Sequence, residues 1–299
     1  MVRRAGDASS WSVVWTRGEG CETLAGMLAS DGPSFAEGDL RDACIAARAH
    51  VIVQRKLTSF DLVNVVASNR FDVDRVSSVV AAIGGGPHSL FAGQVAQRIA
   101  LAAGIPGAIV SASRDAAEDE ASRANLDLVG EQVTGLERRL ERVSSAGELV
   151  STLDEGALLV LGAPGGSWFQ RQFFGPGRRL IQAAPGGIVV VRSSPRRCFH
   201  SVEEAQVIGP LLSVREATAV SSVPIVPVAE DGKLVGLFRI GAESTIGATV
   251  RDVMEDPLFL EADDPVEASE DLRSFFNGAP IPIVDRDGRL VGVLPDGAS

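Results

Sequence analysis

Cysteine and histidine are scarce in this chain of 299 residues, with three of each. Cys21, Cys44 and Cys198 show no paired spacing, and neither they nor His50, His88 and His200 form a metal-binding motif. So few cysteines, in odd number, predict a reducing compartment, the cytoplasm, and exclude a disulfide scaffold. No run of eighteen apolar residues occurs, so no membrane-spanning segment is expected. Arg3 and Arg4 precede no apolar stretch, so no signal peptide is read. Aromatics make up only 5%, which points to a core of Ala, Val, Leu and Gly. Positive charge is also short: the net charge is −11. That field repels polynucleotides and anionic membranes, so neither is expected as a partner. Arg171, Arg178, Arg179, Arg192, Arg196 and Arg197 cluster locally and leave room for one anion site.

What the chain does have is apolar residues, 45% of the total, arranged in short continuous runs. Val76–Ile83, Ala108–Ala112, Ala157–Leu161 and Ile188–Val191 read as parallel strands covered on both faces. Leu90–Ala103 reads as the helix joining the first two, and Gly104-Ile-Pro106-Gly107 ends it. Residues 116–142 are charged, as solvated helix faces are, with a strand over Arg139–Val143. Ala146–Leu153 is the next helix. Ahead of these, Trp11–Thr16 and His50–Val53 have strand composition, and Cys21–Ala29 and Asp39–Ala49 helical composition. Thr58 is read as the cap of a helix over Ser59–Ala67. Residues 1–75 are thus an α/β segment resembling no known family. It is either a separate domain or an extension of the following sheet.

Two glycine clusters stand out. Gly162, Gly165 and Gly175 follow the 157–161 strand with spacing Gly-x2-Gly-x9-Gly, flanked by Gly166, Ser167 and Gly177. Gly84, Gly85 and Gly86 follow the 76–83 strand. Glycines at the carboxyl end of a strand, just before a helix, bring backbone N–H groups to where α/β sheets bind phosphate. The first spacing, with the closing Ala184-Pro185-x-x-Ile188-Val-Val-Val, resembles the nucleotide-binding signature of universal stress proteins over residues 76–193. That resemblance implies a parallel-sheet, Rossmann-like domain. It also implies an adenine nucleotide, ATP foremost, held by Gly84, Gly85, Gly86, Gly162, Gly165, Gly166, Ser167, Gly175 and Gly177. Any metal would be the Mg that accompanies the nucleotide. Two departures weaken the implied site. Pro176 stands where the family has Ser or Thr, and Gly84 stands where it has the Asp that contacts adenine.

After Arg192-Ser-Ser-Pro195-Arg-Arg, read as a linker, an internal repeat begins. Residues 224–238 and 280–294 share a leading Pro-Ile, an Asp-Gly and a Leu-Val-Gly at an offset of 56. Apolar runs flanking Asp-Gly predict hairpins. The duplication resembles the paired CBS domain, or Bateman module, an α+β fold, over 201–299. The first copy is shortened before its hairpin. Adenosine-binding members of that family carry Ser or Thr and then Asp after the second hairpin strand. Here Arg239 and Ala242 occupy those places in one copy, and Pro295 and Ala298 in the other. The resemblance thus implies a degenerate pair with a structural or dimerising role.

No Gly-x-Ser-x-Gly surrounds Ser167, and Gly84-Gly-Gly86 fits a dinucleotide fingerprint poorly. The expectation is a non-enzymatic regulatory or stress-response protein that forms homodimers and senses ATP or another adenine nucleotide. The alternative is a ligand-free interaction module.

Overall fold

The computed structural model describes residues 10–69, 71–163, 184, 186–241 and 248–298. The chain divides into two compact units, 1–194 and 195–299.

The first unit is built on one nine-stranded sheet. Its strands are β1 (Val13–Trp15), β2 (Ser34–Phe35), β3 (Val51–Gln54), β4 (Asn64–Asn69), β5 (Ser78–Ile83), β6 (Gly107–Ser113), β7 (Glu137–Arg142), β8 (Ala157–Gly162) and β9 (Ile188–Arg192). The helices are α1 (Cys21–Leu28), α2 (Leu40–Ala46), α3 (Ser89–Ala103), α4 (Asp119–Gln132) and α5 (Ala146–Ser151). The strand order is β2-β1-β3-β4-β9-β8-β5-β6-β7. Every neighbouring pair is parallel except β4 and β9. The strands of residues 13–69 therefore continue the sheet of residues 78–192.

Burial explains the order. β3 and β8 are buried at every residue and lie inside the sheet. The Glu-Arg-Arg-Leu-Glu-Arg of β7 is half exposed and forms an edge. Alternate residues of β5 face opposite cores. Val79, Ala81 and Ile83 pack with α1, α3 and α4, and Val80 and Ala82 pack with α5.

The sheet is internally duplicated. Strands β1 to β4 stand in the order 2-1-3-4, and β5, β6, β8 and β9 stand in the same relation. The registers match as well. Val14 pairs Ser34, Val13 pairs Val51 and Val51 pairs Asn64. In the second half, Ala82 pairs Val110, Ala81 pairs Val160 and Val160 pairs Val189. The halves meet antiparallel along β4 and β9, with Val66 opposite Val191. The pairing pattern is thus that of two halves related by a twofold axis between β4 and β9. The second half has β7 and α4 in addition.

One expected element fails. Residues 59–63 form no helix, and Asn64–Asn69 is a strand. The Thr58 hydroxyl does accept from the Phe60 N–H at 3.3 Å, but it also receives Gln54 Nε2 at 2.8 Å, and the chain turns there. The apolar residues that follow cover the edge of β9 instead.

The second unit holds two hairpins, β10 (Ile225–Glu230) with β11 (Lys233–Arg239), and β13 (Ile281–Val284) with β14 (Leu290–Leu294). Ahead of the first lies α6 (Val214–Val220). Ahead of the second lie α7 (Val250–Val253), β12 (Leu260–Glu261), a 3-10 turn at Val266–Ser269 and α8 (Glu270–Phe276).

The hairpins are related as a twofold pair. Leu234 N–H donates to Gly288 O at 3.1 Å, and Leu290 N–H donates to Gly232 O at 2.9 Å. Each lead-in segment bridges both hairpins. Glu203 pairs Val293 and Ile208 pairs Val228, while Glu255 pairs Leu237 and Leu260 pairs Ile283. From Ile208 to Ile225 the chain is four residues shorter than from Leu260 to Ile281, and the second copy's extra turn is the 3-10 segment. The first copy is shortened as the sequence indicates.

Candidate functional site

Strand β5 has β6 on one side and β8 on the other, so the strand order reverses between β5 and β8. A doubly wound sheet opens a crevice at such a switch point, at the carboxyl ends of the strands. Ala82 pairs Leu161, so the turn beginning at Gly84 and the chain leaving Gly162 lie side by side on one rim. The sequence expectation that these two turns meet holds. Gly165, Gly166, Ser167, Gly175 and Gly177 fall outside the described residues, as do Arg171, Arg178 and Arg179.

The 84–88 turn is tightly organised. Gly84 N–H donates to Ser89 Oγ at 3.3 Å, and Ser89 N–H donates to Gly86 O at 3.0 Å. Gly85 has φ 70°, the left-handed region that favours glycine. A Cβ there would lie 2.7 Å from Asn125 Oδ1 and 2.8 Å from Nδ2. The Asn125 carboxamide from α4 therefore closes one side of the turn. Its spacing in the sequence carried no signal of this. The His88 side chain does not cap α3, and the start of that helix lies at the rim.

His88 ends the turn and connects it to the chain leaving β9. Ser193 N–H donates to His88 Nδ1 at 3.1 Å, Ser193 Oγ lies 2.7 Å from the same nitrogen, and Ser193 Oγ donates to Pro87 O at 3.1 Å. Burial lowers the His88 pKa below its ordinary value, and the neighbouring positive charge of Arg192 lowers it further. Arg192 itself donates to Thr58 O at 2.8 Å. Further along the rim, Asp119 is buried and accepts from Ser113 Oγ and Arg142 Nη2, each at 2.7 Å. Those hydrogen bonds hold its carboxyl below the usual range. Both acceptor oxygens are thus engaged, and Asp119 fixes the start of α4.

In the second unit, the positions where nucleotide-binding CBS domains carry hydroxyl and carboxylate are otherwise used. Arg239 forms a paired bridge to Glu255 at 2.8 and 3.2 Å, with its guanidinium 5.1 Å from the Phe275 ring centre. Ala298 O accepts from Arg273, which also bridges Asp296 at 2.7 Å. Ala242 lies outside the described residues. A cavity of about 440 Å³ adjoins this group, lined by Glu267, Ser269, Glu270, Arg273 and Asp296 among others.

Among the described residues no group of three or more His, Cys, Asp or Glu could hold a metal ion, and no helix is long and apolar enough to cross a membrane.

No protein-family model matches the chain, and no curated protein does. Solved structures of CBS domain pairs are similar to it. A CBS domain-containing protein from Thermotoga maritima shares 23% identity over 33% of this chain and 84% of its own, with TM-score 0.28. The CBS-pair protein CBSX2 from Arabidopsis thaliana shares 23% over 35% and 91%, with TM-score 0.31. CBSX2 in complex with AMP shares 26% over 31% and 84%, with TM-score 0.27. The similarity covers about a third of the chain in each case.

Proposed function

We propose that this chain is a non-enzymatic regulatory protein that senses an adenine nucleotide, ATP foremost, at the carboxyl rim of its first unit. One observation carries the reading: the turns after β5 and β8 lie together at the switch point of a doubly wound sheet. In this reading the start of α3 and the glycines Gly84, Gly85 and Gly86 face the nucleotide. Gly162, Gly165, Gly166, Ser167, Gly175 and Gly177 supply the opposite wall and the phosphate contacts, as the universal stress protein resemblance implies. The Asn125 carboxamide stands beside Gly85, the next residue after the position where the family has Asp.

The second unit acts as a structural or dimerising module in this reading. Its Arg239 is committed to Glu255 and its Arg273 to Asp296. Those commitments, with Pro295 in place of a hydroxyl, also favour the second reading, in which no small ligand binds and the chain serves only protein contacts. Native mass spectrometry of the purified chain, followed by calorimetric titration with ATP, decides between them. A co-purifying nucleotide or a saturable heat supports sensing. Neither, at millimolar ATP, leaves the interaction module.

A further inference from the structure

Three consecutive residues carry the chain out of β9 toward the second unit, and each is tied down by its own side chain. Arg192 Nη1 donates to Thr58 O at 2.8 Å. Ser193 is bound to His88 and Pro87 as described. Ser194 N–H donates to Asn64 Oδ1 and Ser194 Oγ donates to Val63 O, each at 2.9 Å. The segment is a strap across the rim, and the division between the two units follows directly at residue 194. Of the side chains named in this strap, only the imidazole titrates between pH 5 and 8.

The protonation states of His88 differ sharply here. Neutral, with its hydrogen on Nε2, the ring offers Nδ1 as acceptor to the Ser193 N–H. Protonated, Nδ1 carries a hydrogen of its own, which turns to Ser193 Oγ at 2.7 Å, and the Ser193 N–H, 3.1 Å away, then faces an N–H in place of its acceptor. The charged ring also acquires the Arg192 guanidinium as a like-charged neighbour. Arg192 is the charged group acting on it from β9.

We propose that His88 and Ser193 form an acid-opened clasp on the strap that leads from the first unit to the second. Neutral His88 keeps the strap fastened, and its protonation releases the Ser193 amide. The lowered His88 pKa has the same sign, since the fold favours the neutral ring. The stabilisation is therefore complete above pH 6.5, the ordinary histidine value, and is lost as pH falls through the lower value of the folded protein. The strap loosens on acidification, and no nucleotide is needed for it.

Hydrogen–deuterium exchange of the Ser193 amide in the full chain, corrected for intrinsic chemical exchange, tests this between pH 7.5 and pH 5. Protection should fall about tenfold on the acid side, the contribution of one hydrogen bond. His88→Asn keeps an acceptor without the titration, and its corrected protection should stay level across the range. Loss of protection on acidification in His88→Asn as in the parent, or level protection in the parent, overturns the proposal. The ring itself supplies a second readout by NMR. At pH 7.5 the ring hydrogen should sit on Nε2, leaving Nδ1 as the acceptor, and a ring protonated on Nδ1 at that pH overturns the clasp as well.

Discussion

Single glycines decide the second unit. The repeated Leu-Val-Gly places Gly236 and Gly292 at matching points of β11 and β14, where the other copy's lead-in segment crosses. A Cβ on Gly236 would lie 2.9 Å from Glu255 O, and one on Gly292 would lie 2.3 Å from Glu203 O. Neither carbonyl can retreat, because each belongs to a paired backbone bridge. Gly236→Ala and Gly292→Ala should each cost about 2–4 kcal/mol, as overpacking against backbone does. Urea unfolding of the second unit, followed by Phe or amide signals, would measure it; wild-type midpoints in both variants would show the crossing to be loose. The thiols permit a second test at this scale. Cys44 and Cys198 are buried, with pKa pushed up to about 12 by desolvation. Neither should react with an alkylating reagent at pH 8 until the chain is unfolded, and mass spectrometry reads that directly. Asp119 gives the pH counterpart. Its carboxyl is depressed by Ser113 and Arg142, so the stabilisation is present above the ordinary carboxylate value and lost as pH falls through the lower folded one. Asp119→Asn should lower Tm at pH 7, with the gap to the parent narrowing below about pH 3.5.

At the scale of elements, caps and registers matter more than propensity. The Asp39 carboxylate accepts from the N–H groups of Arg41 and Asp42 at 2.8 and 3.1 Å and starts α2. Asp39→Ala should cost about 1 kcal/mol, seen as a lower urea midpoint for the first unit; no change would mean that packing alone holds α2. Most strands of residues 76–192 are legible in the sequence, because a parallel strand buried on both faces is a continuous apolar run. Asp39 as a cap and the two Asp-Gly hairpins are legible for a similar reason, since local chemistry demands those residues. The stretch 58–67 is misread because its local and its long-range preferences disagree. Thr58 caps a backbone N–H as a helix start would, yet Val65 and Val66 are held by the pairing with Arg192 and Val191. Tertiary pairing overrides a local signal there. At the rim, the glycines are visible in the sequence. Asn125 and Ser193 join them only through α4 and β9, so no spacing along the chain announces those contacts.

For the first unit as a whole, the duplication assigns a purpose to its N-terminal half. Strand β9 would be an open edge without β4 beside it, with the N–H and C=O groups of Ile188, Val190 and Arg192 free to pair with another chain, since Val191 turns its carbonyl to Ala163 on the β8 side. The same half covers apolar surface. Trp11 packs on Phe91 with ring centres 5.5 Å apart and lies 3.9 Å beneath the Arg98 guanidinium, and Leu24, Ala25 and Leu28 of α1 are fully buried in the core that includes α3. Residues 10–69 therefore occupy, within one chain, the position that a second copy would take in a twofold pair. A chain beginning at residue 76 should lose that cover and associate through β9, antiparallel to the β9 of another copy. Light scattering would find the shortened chain in a larger state than the full one at equal concentration. Val190→Pro should oppose the association, since it removes an N–H that β9 turns to that edge. A shortened chain that stays folded and monomeric would mean that β9 is protected by something other than β4. The pairing of β4 with β9 would then be a packing convenience, with no bearing on how copies of this chain assemble.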